Sequence, residues 1–363
     1  MKNNGKYCRI LCVTVFCLMA RVSFAQNTSD ISSFLNASAG DASKLITAYV
    51  QPAIEGVSYG MTGGWYTTAK AHKSLGVDIG FSLNTVFLPS SKNYFNPANL
   101  GLTAGSTFSN TTNPGSGAPS VMGSKDVTQY AVTYDPDGSG ALPSQKFNFK
   151  GPEGLDIGNQ IGVGEAPVPV PMIQLGVGII KNTDIKLRFV PEQSIGASKI
   201  KMLGIGVLHD IKQHIPGMKL MPFDLSVLLA YNNVSGISDL TYTKTDNKLP
   251  YSNNGKMDYT FNSYIFQALI SKKISVLTVY GGIGYQMIKT KVDVLGDYTI
   301  SASNSNGAPA SFTLKDPVRI DFKNNGIKFN GGIRLKFGPF YINGEYTLQK
   351  YNSATVGLGF SFR

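Results

Sequence analysis

Downstream of residue 25 the sequence lacks any run of about 18 apolar residues, the length that a membrane-spanning helix needs. It is also poor in charge, since Asp, Glu, Lys and Arg make up only 15% of it. Its three cysteines, Cys8, Cys12 and Cys17, all lie near the N-terminus. The rest of the chain therefore has no thiol for a disulfide, a nucleophile or a metal ligand. These absences argue against a helical membrane protein and against cysteine chemistry.

Residues 1–25 have the pattern of a secretory signal peptide. Basic residues open the segment, residues 10–20 are mostly apolar, and small residues precede the expected cleavage site after Ala25. A lipoprotein signal needs small residues before its cysteine, but Leu11 precedes Cys12 and Phe16 precedes Cys17. We therefore expect an exported chain that keeps no cysteine.

The exported chain would be basic. Without the four basic residues of the signal peptide, 29 basic residues remain against 22 acidic ones, a net charge of about +7. Export argues against a nucleic-acid partner. The basic residues are instead expected to meet phosphates of outer-membrane lipid or anionic solutes.

What the sequence does contain is glycine, aromatic residues and alternation. It has 40 Gly, 20 Phe and 18 Tyr, which suits a β protein. In residues 327–363, three runs joined by very short turns place apolar and polar side chains on opposite faces of a strand. The apolar positions include Ile327, Phe329, Ile333, Leu335, Phe337, Val356, Leu358, Phe360 and Phe362. This dyad pattern is typical of strands in a transmembrane antiparallel barrel.

The fold class predicted is all-β, a transmembrane antiparallel β-barrel over residues 76–363 with about ten strands. Strands are expected near residues 76, 172, 183, 199, 222, 257, 274, 327, 340 and 354, with twelve or fourteen if the loops hold further hairpins. Long extracellular loops are expected at 89–171 and 291–325, the first with a hairpin at 127–134 and 146–149. Short turns lie on the periplasmic side, and an even strand number would place both termini there.

Residues 26–75 do not have the pattern of a barrel. Asp41 would cap a short helix over residues 42–50, and a glycine-rich turn follows. The candidate hatch residues come next: Trp65, Tyr66, Lys70 and His72. Two interpretations stay open, a hatch inside the barrel and a periplasmic cap.

The alternation places eight charged residues toward the lumen. They are Asp78, Asp224 and Glu345, with Lys186, Arg188, Lys328, Arg334 and Lys336. They could line a basic solute path or pair with one another, and pairing is favoured because charges in narrow barrels need partners. Several glycines also point inward, which leaves room for an inserted segment or a ligand, or simply permits the strands to coil.

Three phrases of the sequence carry a resemblance: GGWYTTAKAHK at 63–73, GVLHDIKQHIPG at 206–217 and MPFDLSV at 221–227. The chain resembles an uncharacterised family of outer-membrane β-barrel proteins of Bacteroidetes-type bacteria. The resemblance implies a barrel in the bacterial outer membrane and supplies no activity. In outline, an N-terminal hatch before a barrel is also similar to the long-chain fatty acid transporter (FadL-like) family.

No enzyme activity, metal or cofactor is expected. The histidines outside the signal peptide are dispersed, and residues 135–140 are better explained as a turn than as a calcium loop, because Lys146 stands where an acid is needed. No nucleophile motif stands out. The leading hypothesis is passage of a small solute, hydrophobic or anionic, through a plugged lumen. The alternative is a structural or adhesion protein that binds a surface partner through its long loops.

Overall fold

A computed structural model of the chain describes residues 31, 33–37, 39–134, 145–160, 166–180, 182–195, 198–241, 252–303 and 309–362. The expected signal peptide and the turn at 135–140 lie outside these residues. Within them, no helix is both long and apolar enough to cross a membrane.

The described residues form one principal helix and seventeen strands. The helix is α1, Ala39–Gly60. The strands are, in chain order, β1 Val77–Leu88, β2 Tyr94–Phe95, β3 Thr107–Asn110, β4 Ala118–Pro119, β5 Thr128–Tyr134, β6 Gln145–Lys150, β7 Ala166–Ile180, β8 Thr183–Ile195, β9 Ser198–Asp210, β10 Asp224–Asp239, β11 Lys256–Ile274, β12 Leu277–Leu295, β13 Asp297–Ser303, β14 Pro309–Lys315, β15 Val318–Phe337, β16 Phe340–Leu348 and β17 Ser353–Phe362.

Ten of these strands close into an antiparallel barrel, which confirms the predicted fold class and strand number. Going round the barrel, the order is β1, β17, β16, β15, β12, β11, β10, β9, β8 and β7, and β7 pairs with β1 again. Closure leaves no unpaired strand edge, and in lipid every backbone polar group must find its partner within the barrel.

The alternation in the sequence determines which side chains face lipid. On β15, Ile327 and Phe329 are 59% and 49% exposed on the outer surface, whereas Lys328 between them is buried in the lumen. The register of the last hairpin is also as expected, with Phe337 opposite Phe340 across its turn. A period of two therefore separates a lipid-facing apolar surface from a polar interior.

Several boundaries differ from the sequence prediction. β7 begins at Ala166, so the first loop spans 89–165, and the second loop shrinks to 296–317 because β12 and β15 extend further. The turn after β11 lies at 275–276 rather than at 271–273. β9 pairs with β10 without a break, and the irregularity expected in β9 near Met202 lies instead in the facing part of β8. In these extensions the apolar side chains face inward, as Val170 of β7, Val292 of β12 and Ile320 of β15 do. The lipid-facing apolar pattern therefore ends before the strands do.

The loops at one end of the barrel are ordered into small sheets. β3, β5 and β6 form a three-stranded sheet, β2 pairs with β4, and β13 pairs with β14. The β5 and β6 pair confirms the hairpin expected in the first loop. We call this the long-loop end. The opposite end, with the connections 181–182, 211–223, 275–276 and 338–339, is the short-turn end.

The N-terminal segment runs through the barrel from the long-loop end to the short-turn end. Phe34, just before α1, packs edge-on against Tyr130 and Phe149 of the outer sheet. Gly60, at the end of α1, lies against Val170 of β7, and residues 61–75 continue down to the start of β1. We call residues 39–75 the plug.

Two expectations are corrected by this path. The helix is 22 residues long and passes through Pro52, although proline removes one helical hydrogen bond. The helix nevertheless continues to Gly60, packed inside the barrel against β1, β7 and β15. The described N-terminal residues 33–37 lie at the long-loop end, whereas both termini were expected at the other end. The reason is that the plug crosses the full barrel before β1 begins.

Candidate functional site

The plug turns at mid-barrel, directly after α1, where two wall cations hold it. Arg188 of β8 donates through Nη1 to the carbonyl oxygen of Met61 at 3.0 Å and through Nη2 to that of Gly63 at 2.7 Å. Lys328 of β15 donates through Nζ to the carbonyl oxygen of Thr62 at 2.8 Å. We call Arg188, Lys328 and these three carbonyls the latch.

The position of the latch follows from helix chemistry. The latch carbonyls directly follow the last helical residue, Gly60, at the negative end of the helix dipole, where cations bind favourably. Asn232 of β10 supplies a further donor to Met61, at 3.2 Å. Gly64 then adopts a φ of +65°, which suits glycine, and its N–H points at Glu345 Oε1, 3.4 Å away. The wall thus caps the C-terminus of α1.

Trp65 packs beneath the latch. It is 1% exposed, and its ring lies under the Arg188 guanidinium, 3.8 Å from centroid to Cζ. Gly206 of β9 makes space for it, since a Cβ there would come within 2.9 Å of the indole. Gln174 of β7 donates to the Trp65 carbonyl at 3.1 Å. The indole is therefore held between Arg188 and Gly206, while Gln174 binds the backbone of the same residue.

Tyr66 reaches the opposite wall. Its hydroxyl donates to Asn330 Oδ1 at 2.9 Å, and Gly282 of β12 leaves room for that hydroxyl, because a Cβ there would be 2.4 Å from it. Gln267 donates to the same Asn330 oxygen at 2.8 Å. Inward glycines at 206 and 282 thus receive plug side chains. This supports the inserted-segment interpretation for Gly282, whereas Gly206 lies in β9, where the sequence alternation is blurred.

The lower plug is tied to the wall by polar contacts. The Ala69 N–H donates to Ser271 Oγ at 2.9 Å, and the Ser226 hydroxyl donates to the Ala69 carbonyl. The His72 N–H donates to Asp184 Oδ1, and His72 Nδ1 lies 2.8 Å from Asp184 Oδ2. The segment expected to be either a hatch or a cap therefore lies inside the lumen.

Glu55 fixes the outer part of the plug at the long-loop end. Its carboxylate accepts hydrogen bonds from Tyr351 at 2.5 Å and from Lys350 at 3.0 Å, with Lys92 at 3.7 Å. Burial alone would raise the pKa of Glu55, but hydrogen bonds from Tyr351, Lys350 and Gln51 outweigh it and lower the pKa below its ordinary value of 4.5. The plug therefore has a carboxylate anchor above and a cation latch below.

Most of the predicted lumen residues are buried. Asp78, Lys186, Arg188, Lys328, Arg334 and Glu345 are buried, whereas Asp224 and Lys336 are half-buried. Arg334 lies over the Tyr341 ring at 4.0 Å, and Lys336 donates to the Ser361 carbonyl at 2.8 Å. For Arg188 and Lys328 the favoured close pairing with wall acids is wrong, because among the described residues neither has an ion pair. Their partners are the plug carbonyls and, for Arg188, also the side-chain oxygen of Gln174 at 2.9 Å.

The hatch candidates divide into two groups. Trp65, Tyr66 and His72 are buried against the wall, whereas Lys70 is exposed near the short-turn end. Sequence reasoning missed the neutral wall partners Gln174, Ser226, Asn232, Ser271 and Asn330. Their inward position in the alternation was a readable signal, but their hydrogen-bond partners lie far away in the sequence.

Two histidines that the sequence separates come together at the short-turn end. His209 Nε2 and His214 Nε2 are 3.1 Å apart, and Thr183 Oγ1 lies 2.8 Å from His209 Nδ1. The 3-10 turn Lys212–His214 closes this spacing of five residues. In the described part of the chain, no group of three or more His, Cys, Asp or Glu side chains is placed to hold a metal ion.

Comparison with solved structures gives distant likenesses. The translocator domain of the autotransporter NalP from Neisseria meningitidis is 11% identical, with a TM-score of 0.32 over 87% of this chain and 96% of that one. Ail, the attachment invasion locus protein of Yersinia pestis, is 9% identical, with a TM-score of 0.23 over 80% and 99%. OmpT with loop L8 deleted, an outer membrane protein of Vibrio cholerae, is 10% identical, with a TM-score of 0.17 over 80% and 100%. Likeness at this level carries no argument about function, so the fold is argued from the strand pairing above.

No curated relative matches the sequence. The likeness in outline to long-chain fatty acid transporters and the Bacteroidetes-type origin stay predictions. The model of a family of unknown function, DUF6588, matches residues 1–362, and this β-barrel chain therefore belongs to that uncharacterised family.

Proposed function

We propose that this protein is a gated passage for small solutes across the outer membrane, and that the plug is its gate. The observation that carries the proposal is the chemistry of the contact between plug and wall. At mid-barrel and below, hydrogen bonds to wall side chains hold the plug, as the latch and the contacts of Ala69 and His72 illustrate. They act beside a small apolar cluster around Trp65 and Tyr66, which has far fewer members than the core around α1. Water can replace such bonds, and each contributes only about 0.5–1.5 kcal/mol net, or about 1.5–3 where one group is charged. A polar contact is thus better suited to reversible release than an apolar one.

The proposed role is non-enzymatic, with lipid around the barrel and a solute within it. An open lumen in a ten-stranded barrel would be narrow. This width favours small solutes, whether hydrophobic or anionic. Export through a signal peptide in residues 1–25 is part of the same proposal.

The passage proposal is tested by a substitution in the wall that should displace the plug while the rest of the chain is unchanged. Gly206→Leu places a side chain where the Trp65 indole now lies, and overpacking of this kind costs about 1–3 kcal/mol. We expect the variant to conduct in planar bilayers far more often than the unmodified protein. Gly331→Leu is the matched control, because Gly331 is exposed on the lipid-facing side and a Cβ added there would meet no atom within 4 Å.

A reversible disulfide between plug and wall, which we call the lock, tests whether any current depends on movement of the plug. Thr68 Oγ1 and Ser271 Oγ are 3.2 Å apart, so cysteines at both positions should form a disulfide between plug and wall. In the Gly206→Leu background, oxidation should silence the channel and reductant should restore it. Heat-modifiable migration on a gel verifies that each barrel is folded. A folded Gly206→Leu barrel that stays silent, and that takes up neither hydrophobic nor anionic solutes in liposomes, would rule out passage through the lumen.

The alternative is an adhesion or structural role at the long-loop end. It is supported by the three-stranded sheet β3, β5 and β6, whose Tyr130 and Val132 are buried together with Phe34. This is more ordered structure than closing a barrel requires. If adhesion is the role, cells carrying a chain without residues 107–150 should lose attachment to surfaces while the barrel still folds. Equal attachment by both chains would contradict it.

A further inference from the structure

Two buried wall cations of the lumen are balanced by backbone carbonyls rather than by carboxylates. Arg188 is 0% and Lys328 is 1% exposed. Among the described residues, no carboxylate oxygen lies within 4.0 Å of either side chain. Glu345 interacts with both electrostatically from a greater distance. A buried charge without a partner is costly, so the plug carbonyls are part of what makes these cations tolerable.

The two cations project from opposite walls. In the closed order of ten strands, β8 and β15 are five strands apart in either direction. Nevertheless, Arg188 and Lys328 reach consecutive residues of one turn, at Met61, Thr62 and Gly63. Side chains from opposite walls therefore bind the same turn of the plug.

Withdrawal of the plug would remove most partners of the two cations and leave Arg188 its wall contact from Nε to Gln174 Oε1 at 2.9 Å. Arg188 would lose both of its carbonyl acceptors and the Trp65 ring, and Lys328 would lose the Thr62 carbonyl. Arg334, held over the Tyr341 ring, adds a third wall cation. Rings of Arg and Lys in a narrow pore select anions, and low-dielectric walls concentrate their field.

We propose that Arg188 and Lys328 form an anion site of the opened lumen, occupied in the closed barrel by plug carbonyls standing in for the anion. This inference rests on the proposed function, since it concerns the open state of the same gate. The ligand class is a small anion bearing carboxylate or phosphate oxygens. Such oxygens replace carbonyl acceptors directly, and the planar Arg188 guanidinium can bind two of them at once. The site thereby selects the anionic of the two solute classes.

The test is the ion selectivity of the full-length chain opened by Gly206→Leu. In a potassium chloride gradient, the reversal potential should show chloride favoured over potassium by at least about tenfold, the low end of electrostatic focusing. Adding Lys328→Met should reduce that preference severalfold. Adding Lys186→Met is the matched control, because Lys186 is also a buried lumen cation but makes no hydrogen bond to the plug in the described structure. It should reduce the preference less.

Binding is probed separately with phosphate and with acetate. Each should block chloride current in the Gly206→Leu channel, and the block should weaken at least severalfold with Lys328→Met. The relative strength of the two probes distinguishes phosphate from carboxylate as the favoured group. A channel that conducts but prefers potassium, or whose block is the same with and without Lys328, overturns the anion site while leaving passage intact. A folded channel that never conducts overturns passage itself.

Discussion

Replacing Arg188 and Lys328 together with methionine should release the plug while the barrel stays folded. The change removes three charge-assisted hydrogen bonds to the turn after α1. Bonds of this kind contribute about 1.5–3 kcal/mol each. A loss of only ~3 kcal/mol would raise the population of released plug about a hundredfold. The barrel should persist, because methionine fills similar space and removes buried charge rather than adding it.

Trp65 provides the measurement, since it is the only tryptophan of the chain. In the unmodified protein its indole is buried under Arg188, so its emission should be blue-shifted and poorly quenched by acrylamide. In the double variant the emission should shift to the red and quenching should rise toward that of a free indole. Lys186→Met should leave both unchanged. A folded double variant with unchanged emission would show that the latch does not hold the plug.

The barrel could be predicted because the alternation that identifies each strand lies within the sequence of that strand. Each strand must separate lipid-facing from lumen-facing residues, so alternation such as that from Ile327 to Phe337 identifies both the strand and its faces. The even strand number and the positions of most turns follow from the same rule. The small sheets at the long-loop end show little alternation of apolar and polar residues. Among them, only the β5 and β6 hairpin could be predicted from the sequence.

The position of the plug could not be predicted in the same way, because the wall residues that hold it are distant from it in the sequence. Gly206 and Gly282 are compatible with strand coiling, a ligand or an inserted segment, and only the positions of Trp65 and Tyr66 decide among these. Likewise, Arg188 and Lys328 are inward cations by parity, yet nothing nearby in sequence indicates a backbone turn as their partner. Charge counting therefore favoured ion pairs within the wall.

The path of the plug also reverses one inference from strand parity. An even number of strands places the start of β1 and the end of β17 at the same end of the barrel, and Val77 indeed pairs with Phe362. Parity says nothing about a segment that precedes the first strand. Here that segment crosses the lumen, so α1 begins beside the outer sheets.

Single cysteines should therefore label from opposite sides of the membrane, although they stand only 34 residues apart in the plug at positions 40 and 74. Gly40 is exposed at the long-loop end, where a Cβ would meet open space, and Ser74 is exposed at the short-turn end, where it donates to the Ile179 carbonyl. Short turns of outer-membrane barrels face the periplasm. On intact cells, a membrane-impermeant maleimide should thus label Gly40→Cys and leave Ser74→Cys unlabelled until the outer membrane is permeabilised.

This difference should be close to all-or-none, because the outer membrane separates the two sites. The expected loss of the signal-peptide cysteines leaves the introduced thiol as the one that reacts. Labelling of both positions on intact cells would mean that the reagent passes the plug, and the oxidised lock between residues 68 and 271 should then abolish labelling of Ser74→Cys alone. Labelling of Ser74→Cys without Gly40→Cys would instead place α1 on the periplasmic side. That result would contradict the threaded path, and with it a gate whose upper anchor at Glu55 faces the outside.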